Sequence, residues 1–267
     1  MTTLPTLFIP HGGGPCFFMD PAGGPPDPMW RGMEAYLAGL IDSLAERPCA
    51  ILLVSGHWET SDVTVHVGDG QPLLYDYYGF PEHTYHLRWD APGAPDVARR
   101  AAELLRGAGH EVAEEALRGW DHGVFIPMKV AVPGADIPLA QMSLRADLDP
   151  EAHIAIGRAL APLRDEGVLI VGSGMSFHNL RARGDRVTPV AAEWDDALTT
   201  AVTDADPARR ARHVAAWADL PHARFAHPRE QHLLPLMVAL GAGGDDAAAR
   251  DYRDTVLGWV VSGYRFG

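Results

Sequence analysis

Apolar residues in this chain gather into short dense runs, separated by longer stretches at helical spacing. Six runs read as strands: 7–10 (LFIP), 50–56 (AILLVSG), 63–67 (VTVHV), 137–144 (IPLAQMSL), 168–174 (VLIVGSG) and 256–263 (VLGWVVSG). The first, second and fifth are continuous rather than alternating, which suits strands covered on both faces. Between the runs lie helical stretches at 29–47, 95–107, 149–167, 193–202, 208–220 and 232–242. Their punctuation fits: Pro95 opens one and Gly107 stops it, while Asp149 caps the next ahead of Pro150 and Gly167 ends it. Pro235 restricts the last helix to a start near itself. Strands alternating with helices predict an α/β fold, an α/β/α sandwich around a mixed, mainly parallel sheet. No repeat and no linker divides the chain, so one domain spanning 1–267 is expected. The irregular stretch 68–95 is rich in Pro, Gly, Tyr and His. A loop that long and that aromatic is expected to be functional rather than disordered.

Composition narrows the partners. The net charge is -13, so the overall field repels nucleic acid and anionic membrane surfaces. Two cysteines, Cys16 and Cys49, make no disulfide framework, and a reducing cytoplasm is the expected setting. The N-terminal residues lack the basic and apolar regions of a signal peptide, and no apolar stretch reaches the ~20 residues that cross a bilayer. The 13 histidines make the place of each one informative.

Three of them stand just past inferred buried strands: His11 after LFIP, His57 after AILLVSG, and His178 a short turn beyond VLIVGSG. Ligands of open α/β sheets bind outside the C-terminal strand ends. If those strands are parallel neighbours, the imidazoles converge, as a non-haem metal site or a metal-plus-base site requires. Taken singly, each is more simply a hydrogen-bonded structural histidine. His122 in GWDHGVFIPM sits beside Asp121, which could orient its ring; a solvated loop is the alternative. His227, Glu230 and His232 lie at the mouth of the last helix, and any of them could ligate a metal.

The His-Gly-Gly-Gly at 11–14 also evokes an esterase oxyanion-hole loop. That reading needs a G-x-S-x-G elbow and a loop placed after the third strand. The nearest elbow is GMSFH at 174–178, with His178 in place of the last glycine, and only ten residues precede His11. Both defects count against it.

Six stretches in order carry a family resemblance: PHGGGP (10–15), SGHW (55–58), GFPEHTYHLRWDAPGAP (79–95), GWDHG (119–123), SGMSFHNL (173–180) and EQHLLPL (230–236). Together they resemble the class III extradiol ring-cleavage dioxygenases, in the branch of 4,5-DOPA extradiol dioxygenase-like proteins. The resemblance implies an α/β/α sandwich with a metal at the C-terminal edge of the sheet. It implies His11, His57 and His232 as metal ligands, with His178 as active-site base and a fourth ligand in some resting forms. His122 matches a histidine that contacts substrate or oxygen. The implied metal is Fe(II), with Zn(II) also found in DOPA-type proteins, and the implied partners are a catecholic small molecule and O₂. Relatives with a carboxylate as third ligand keep Glu230 in play, although the HLLPL frame favours His232. The loop after His11 is one residue longer than the commoner H-G-S-P form.

Three ligands on one face would leave positions for two catechol oxygens and O₂. A histidine titrating near neutrality suits a base that later returns its proton. Tyr75, Tyr77, Tyr78 and Phe80 could wall an aromatic pocket, or simply pack the long loop. A zinc hydrolase on the same histidines is the chief alternative, since Fe and Zn both accept imidazole; a non-enzymatic metal-binding subunit is another.

Overall fold

The computed structural model describes residues 2–70 and 72–267. In chain order the strands and helices are β1 (Thr6–Pro10), α1 (Arg31–Ala38), β2 (Ala50–Thr60), β3 (Val63–His66), α2 (Pro95–Gly107), β4 (Val112–Glu115), α3 (His122–Ala131) and β5 (Leu139–Arg145). They continue with α4 (Pro150–Leu160), β6 (Val168–Gly174), α5 (Thr188–Val202), α6 (Pro207–Ala215), α7 (Ala223–Ala226), α8 (Leu234–Gly243), β7 (Ala248–Val256) and β8 (Trp259–Phe266).

Among the described residues, eight strands form one sheet in the order β4-β3-β5-β2-β6-β1-β8-β7. The four central strands, β5, β2, β6 and β1, run parallel, and both flanks join them antiparallel, through β3 on one side and β8 on the other. The three continuous apolar runs are therefore the adjacent strands β2, β6 and β1. Successive residues of β2 point to opposite layers: Ile51 and Leu53 enter one core, Leu52 and Val54 the other. Helices α2, α4 and α8 cover one face, while α1, α3 and α5 cover the other. This is the expected sandwich, and burial on both faces is why these strands carry no polar alternation.

Several expected boundaries move, for local reasons. The helix anticipated at 29–47 ends at Ala38 with Gly39 as its cap, and the chain then passes through a series of turns. The strand anticipated at 256–263 straddles a hairpin turn. Leu257 and Gly258 both take left-handed backbone angles, and β8 begins only at Trp259. Strand β7 had no apolar signature because it is a charged edge strand, buried mainly at Tyr252 and Val256. Helix α3 was hidden for the opposite reason: it is apolar nearly all round and carries Pro127 inside. Pro127 cannot donate to the carbonyl of Gly123 one turn back. Ser173 of β6 donates its hydroxyl to that carbonyl instead, at 2.5 Å. The repair ties the start of α3 to the end of β6, which is where the functional residues collect.

Candidate active site

His11 follows β1 directly, and its backbone N–H donates to Gly174 O at the end of β6 (3.1 Å). Gly12 has φ +83, and a Cβ there would meet Cys16 Sγ at 2.4 Å, so glycine lets the chain leave the strand sharply. His57 does not lie past its strand as expected, because β2 continues to Thr60. The pairing of β2 with β5 shifts register between Val54 and Glu59. Such an irregularity re-aims side chains, and His57 sits within it. Its backbone is held from two sides: its N–H donates to Ser55 Oγ (3.1 Å), and Arg118 Nη2 donates to its carbonyl (3.2 Å).

His232 reaches the same place from the start of α8. Its carbonyl accepts from Met175 N (3.0 Å) and lies so close to β6 that a Cβ on Gly174 would meet it at 2.1 Å. The missing side chain at Gly174 is what lets this segment rest on the strand end. His178 follows β6 and stacks on His232, with ring centroids 3.5 Å apart and planes 13° apart. His122 opens α3, with its ring centroid 3.9 Å from that of His57.

The structure thus brings together all five histidines that the resemblance singled out. Donor nitrogens of His11, His57 and His232 lie within 4.8 Å of one another; a second such group joins His57, Asp76 and His122. His178 stands outside both groups. Nε2 of His57 and Nε2 of His232 are 3.2 Å apart. Neither ring nitrogen of His11, nor Nδ1 of His232, has a hydrogen-bond partner of ordinary geometry among the described residues. Burial, reinforced by the neighbouring imidazoles, holds all three rings well below the ordinary histidine range, so they are neutral at physiological pH. Three neutral imidazoles, two buried and the His57 ring partly exposed, then turn nitrogens toward one space, a costly arrangement unless a cation lies between them. Imidazole sets of this kind suit first-row divalent ions.

Glu230 is placed elsewhere: its carboxylate accepts from Arg224 Nη1 at 2.7 Å. His227 is fully buried beside Trp194 and Trp217, with Nε2 2.9 Å from Ser176 O. Ser176 is buried too; its Oγ accepts from Ser262 N and does not line the cavity, so the esterase reading has no accessible nucleophile. Cys16 and Cys49 are both free.

Asp121 does not orient the His122 ring. It is buried, accepting from Ser55 Oγ (2.7 Å), Gln141 Nε2 (2.5 Å) and Arg118 Nη2 (3.2 Å). Burial and the charge of Asp76 raise its carboxyl, and through Ser55 and Arg118 it braces the backbone of His57. The residue that orients His122 is Asp76, in the long irregular loop. One carboxylate oxygen accepts from both Nδ1 (2.7 Å) and the backbone N–H (2.8 Å) of His122, while the other lies 3.6 Å from Nδ1 of His57. Burial works to raise this carboxyl, but the hydrogen bonds from the side chain and backbone of His122 prevail and hold it below its usual range. Sequence reasoning missed Asp76; the only signal was an acidic residue inside an aromatic run, YDYY.

These groups face a cavity of about 510 Å³, lined by His11, His57, Asp76, His122, His178 and His232 together with apolar residues. Tyr77, Tyr78 and Phe80 line it as well. Tyr75 does not: it packs on Phe125 and donates to Leu87 O (2.6 Å).

A parallel-centred α/β sandwich with a metal-competent histidine cluster at its C-terminal sheet edge defines the architecture of an aromatic ring-opening dioxygenase. A family model described as the catalytic LigB subunit of aromatic ring-opening dioxygenase matches residues 5–262, and the chain belongs to that family, in its DOPA-type branch. It is 36% identical to the 4,5-DOPA dioxygenase extradiol of Beta vulgaris, over 98% of this chain and 96% of that protein. It is 38% identical to the dioxygenase tasH of Hapsidospora irregularis, over 100% of this chain and 86% of the other. The crystal structure of an uncharacterized Escherichia coli K12 protein superposes with a TM-score of 0.78 at 29% identity, covering 99% of this chain and 100% of the other. The protein is an aromatic ring-opening dioxygenase acting on an aromatic substrate and O₂. No helix among the described residues is long and apolar enough to cross a membrane.

Proposed function

We propose that the protein is a non-haem Fe(II)-dependent extradiol dioxygenase. It inserts both atoms of O₂ into a catechol-type substrate and opens the ring beside the two hydroxyls, giving a semialdehyde. The observation that carries this reading is the trio His11, His57 and His232, three neutral imidazoles with converging nitrogens at the floor of a cavity sized for a small ligand. These three would hold the metal. Bound Fe(II) supplies the redox chemistry that lets triplet dioxygen react with a singlet catechol, which Zn(II) on the same imidazoles does not.

The remaining histidines manage protons. Burial, reinforced by neighbouring His122, pushes His178 down to about 4, below the near-neutral range expected of it from the sequence, so it meets the substrate unprotonated. It accepts the proton of a catechol hydroxyl and returns it as the ring opens. Asp76 accepts the Nδ1–H of His122, fixing the tautomer and leaving Nε2 to meet a substrate oxygen. Tyr77 and Phe80 confine the ring. The whole chain acts as one catalytic domain, since His11 comes from its beginning and His232 from near its end. The two free cysteines support a reducing, cytoplasmic setting.

The test joins metal analysis to an aerobic ring-cleavage assay. Protein loaded with Fe(II) under anaerobic conditions is expected to consume O₂ when given a catechol and to form the yellow semialdehyde. Absence of O₂ uptake across a broad catechol panel, with iron bound, overturns the proposal. Ester hydrolysis by the zinc-loaded protein without O₂ uptake would favour the hydrolase instead.

A further inference from the structure

The cavity has a floor and a rim of unlike chemistry. His11 and His232 at its floor are buried, whereas Tyr78, Leu180 and Arg183 at its rim are exposed. Apart from the histidines, only two lining residues are ionisable at neutral pH as full charges, Asp76 and Arg183. Asp76 is committed to His122 and His57. Arg183 is uncommitted: among the described residues its guanidinium has no carboxylate or carbonyl partner. Asp185, two residues on, does not reach it.

The backbone that carries Arg183 is nevertheless fixed. Gly184 N donates to Leu257 O at 2.8 Å, Thr188 Oγ1 donates to Gly258 O at 3.1 Å, and Trp259 Nε1 donates to Ala182 O. Both neighbours of Arg183 are thus tied to the β7–β8 hairpin, Gly184 to Leu257 in its turn and Ala182 to Trp259 at the start of β8, and both of these residues line the same cavity. A cation with an anchored backbone and a free head group stands over the site.

We propose that Arg183 determines specificity for an anionic ring substituent: the substrate is a catechol whose side chain ends in a carboxylate, received by the guanidinium. This rests on the ring-cleavage reading above. A planar guanidinium matches a carboxylate with paired hydrogen bonds. The net charge of -13 gives an anion no long-range assistance, so a local cation must supply the attraction. The cavity offers no free carboxylate to an ammonium group, so the selection is for an acid and against an amine. Tyr78 and Leu180, exposed residues lining the same cavity, would cover the apolar stem of such a side chain.

The experiment uses the iron-loaded full chain and three probes: 3-(3,4-dihydroxyphenyl)propanoate, its methyl ester, and dopamine. Steady-state ring cleavage gives kcat and KM, and anaerobic calorimetry gives Kd for the same compounds. The wild type is expected to prefer the acid to the ester by about tenfold in kcat/KM, carried by KM, as fits a charge-assisted contact at an exposed rim. Arg183→Gln should bring the acid-to-ester ratio to about one, Arg183→Lys should keep part of the preference, and Arg183→Glu should shift it toward dopamine. An acid-to-ester ratio that is the same in wild type and Arg183→Gln overturns the assignment and leaves the ring-cleavage reading standing. Should iron-loaded wild type cleave no catechol, that reading falls. Calorimetry then decides Arg183 alone: tighter binding of acid than ester, lost in Arg183→Gln, supports it, and equal binding in both proteins overturns it.

Discussion

His227 and His232 lie five residues apart, and both are fully buried and neutral, yet they do different work. His227 donates Nε2 to Ser176 O and is boxed by two tryptophans, while its Nδ1 has no partner among the described residues and faces no other histidine of the site. His232 turns Nε2 toward His57, one donor nitrogen of each of His11, His57 and His232 converges, and Nδ1 of His232 has no partner of ordinary geometry among the described residues. His153 is a third case, with Nδ1 2.6 Å from Asp149 O and Nε2 accepting from Arg145 N (3.1 Å). Burial therefore does not separate a structural histidine from a site histidine. Nor does a missing partner, since both nitrogens of buried His66 lack one among the described residues; the distinction is whether nitrogens of several rings converge on one another.

The largest predicted effect comes from removing one of the converging rings. His232→Ala should abolish metal retention and reduce ring cleavage to background, read by metal analysis and O₂ uptake on the same sample. A variant that keeps its full metal content would place the third ligand elsewhere.

Asp76→Asn removes the charge that fixes the His122 tautomer but leaves His11, His57 and His232 intact. Loss of a partner that orients a ring in this way typically costs about 10–100-fold. Activity is expected to fall within that range, mainly in kcat, with metal content retained. An unchanged kcat would show that His122 needs no orientation.

His227→Leu should spare the metal and cost stability instead, about 1–2 kcal/mol in denaturant unfolding, from a lost buried hydrogen bond. Its pH dependence sharpens the contrast. Burial holds folded His227 down to about 3, whereas the unfolded ring takes its proton near the ordinary 6.5. Between these values the unfolded chain binds more protons, so wild-type stability falls as pH drops from about 6.5 toward about 3. Leucine cannot titrate, so the variant's deficit should shrink as the pH falls through that window and reverse in sign before its lower end. A constant gap would mean that His227 does not remain neutral in the fold.

Much of the fold and site was legible in the chain because the physics was local. Strands β1, β2 and β6 announced themselves as continuous apolar runs, and His11 and His178 follow two of those runs within a few residues. The parts that stayed hidden depend on contacts across the chain. Asp76 meets His122 from 46 residues away and sits in a loop with no periodicity. Helix α3 could not be recognised from amphipathicity, because it exposes almost no face to water, and its internal proline is compensated by Ser173 on another strand. The role of Gly174 likewise appears only when the carbonyl of His232 lies against it.

If the His11, His57 and His232 trio holds the iron on which ring opening depends, activity must track iron bound at that trio. The most direct measurement is O₂ uptake with a catechol as Fe(II) is titrated into metal-free protein. Uptake should rise with bound iron and level off at a single iron per chain, in wild type and His227→Leu alike, and be absent in His232→Ala. Uptake independent of iron, or undiminished in His232→Ala, would contradict that dependence.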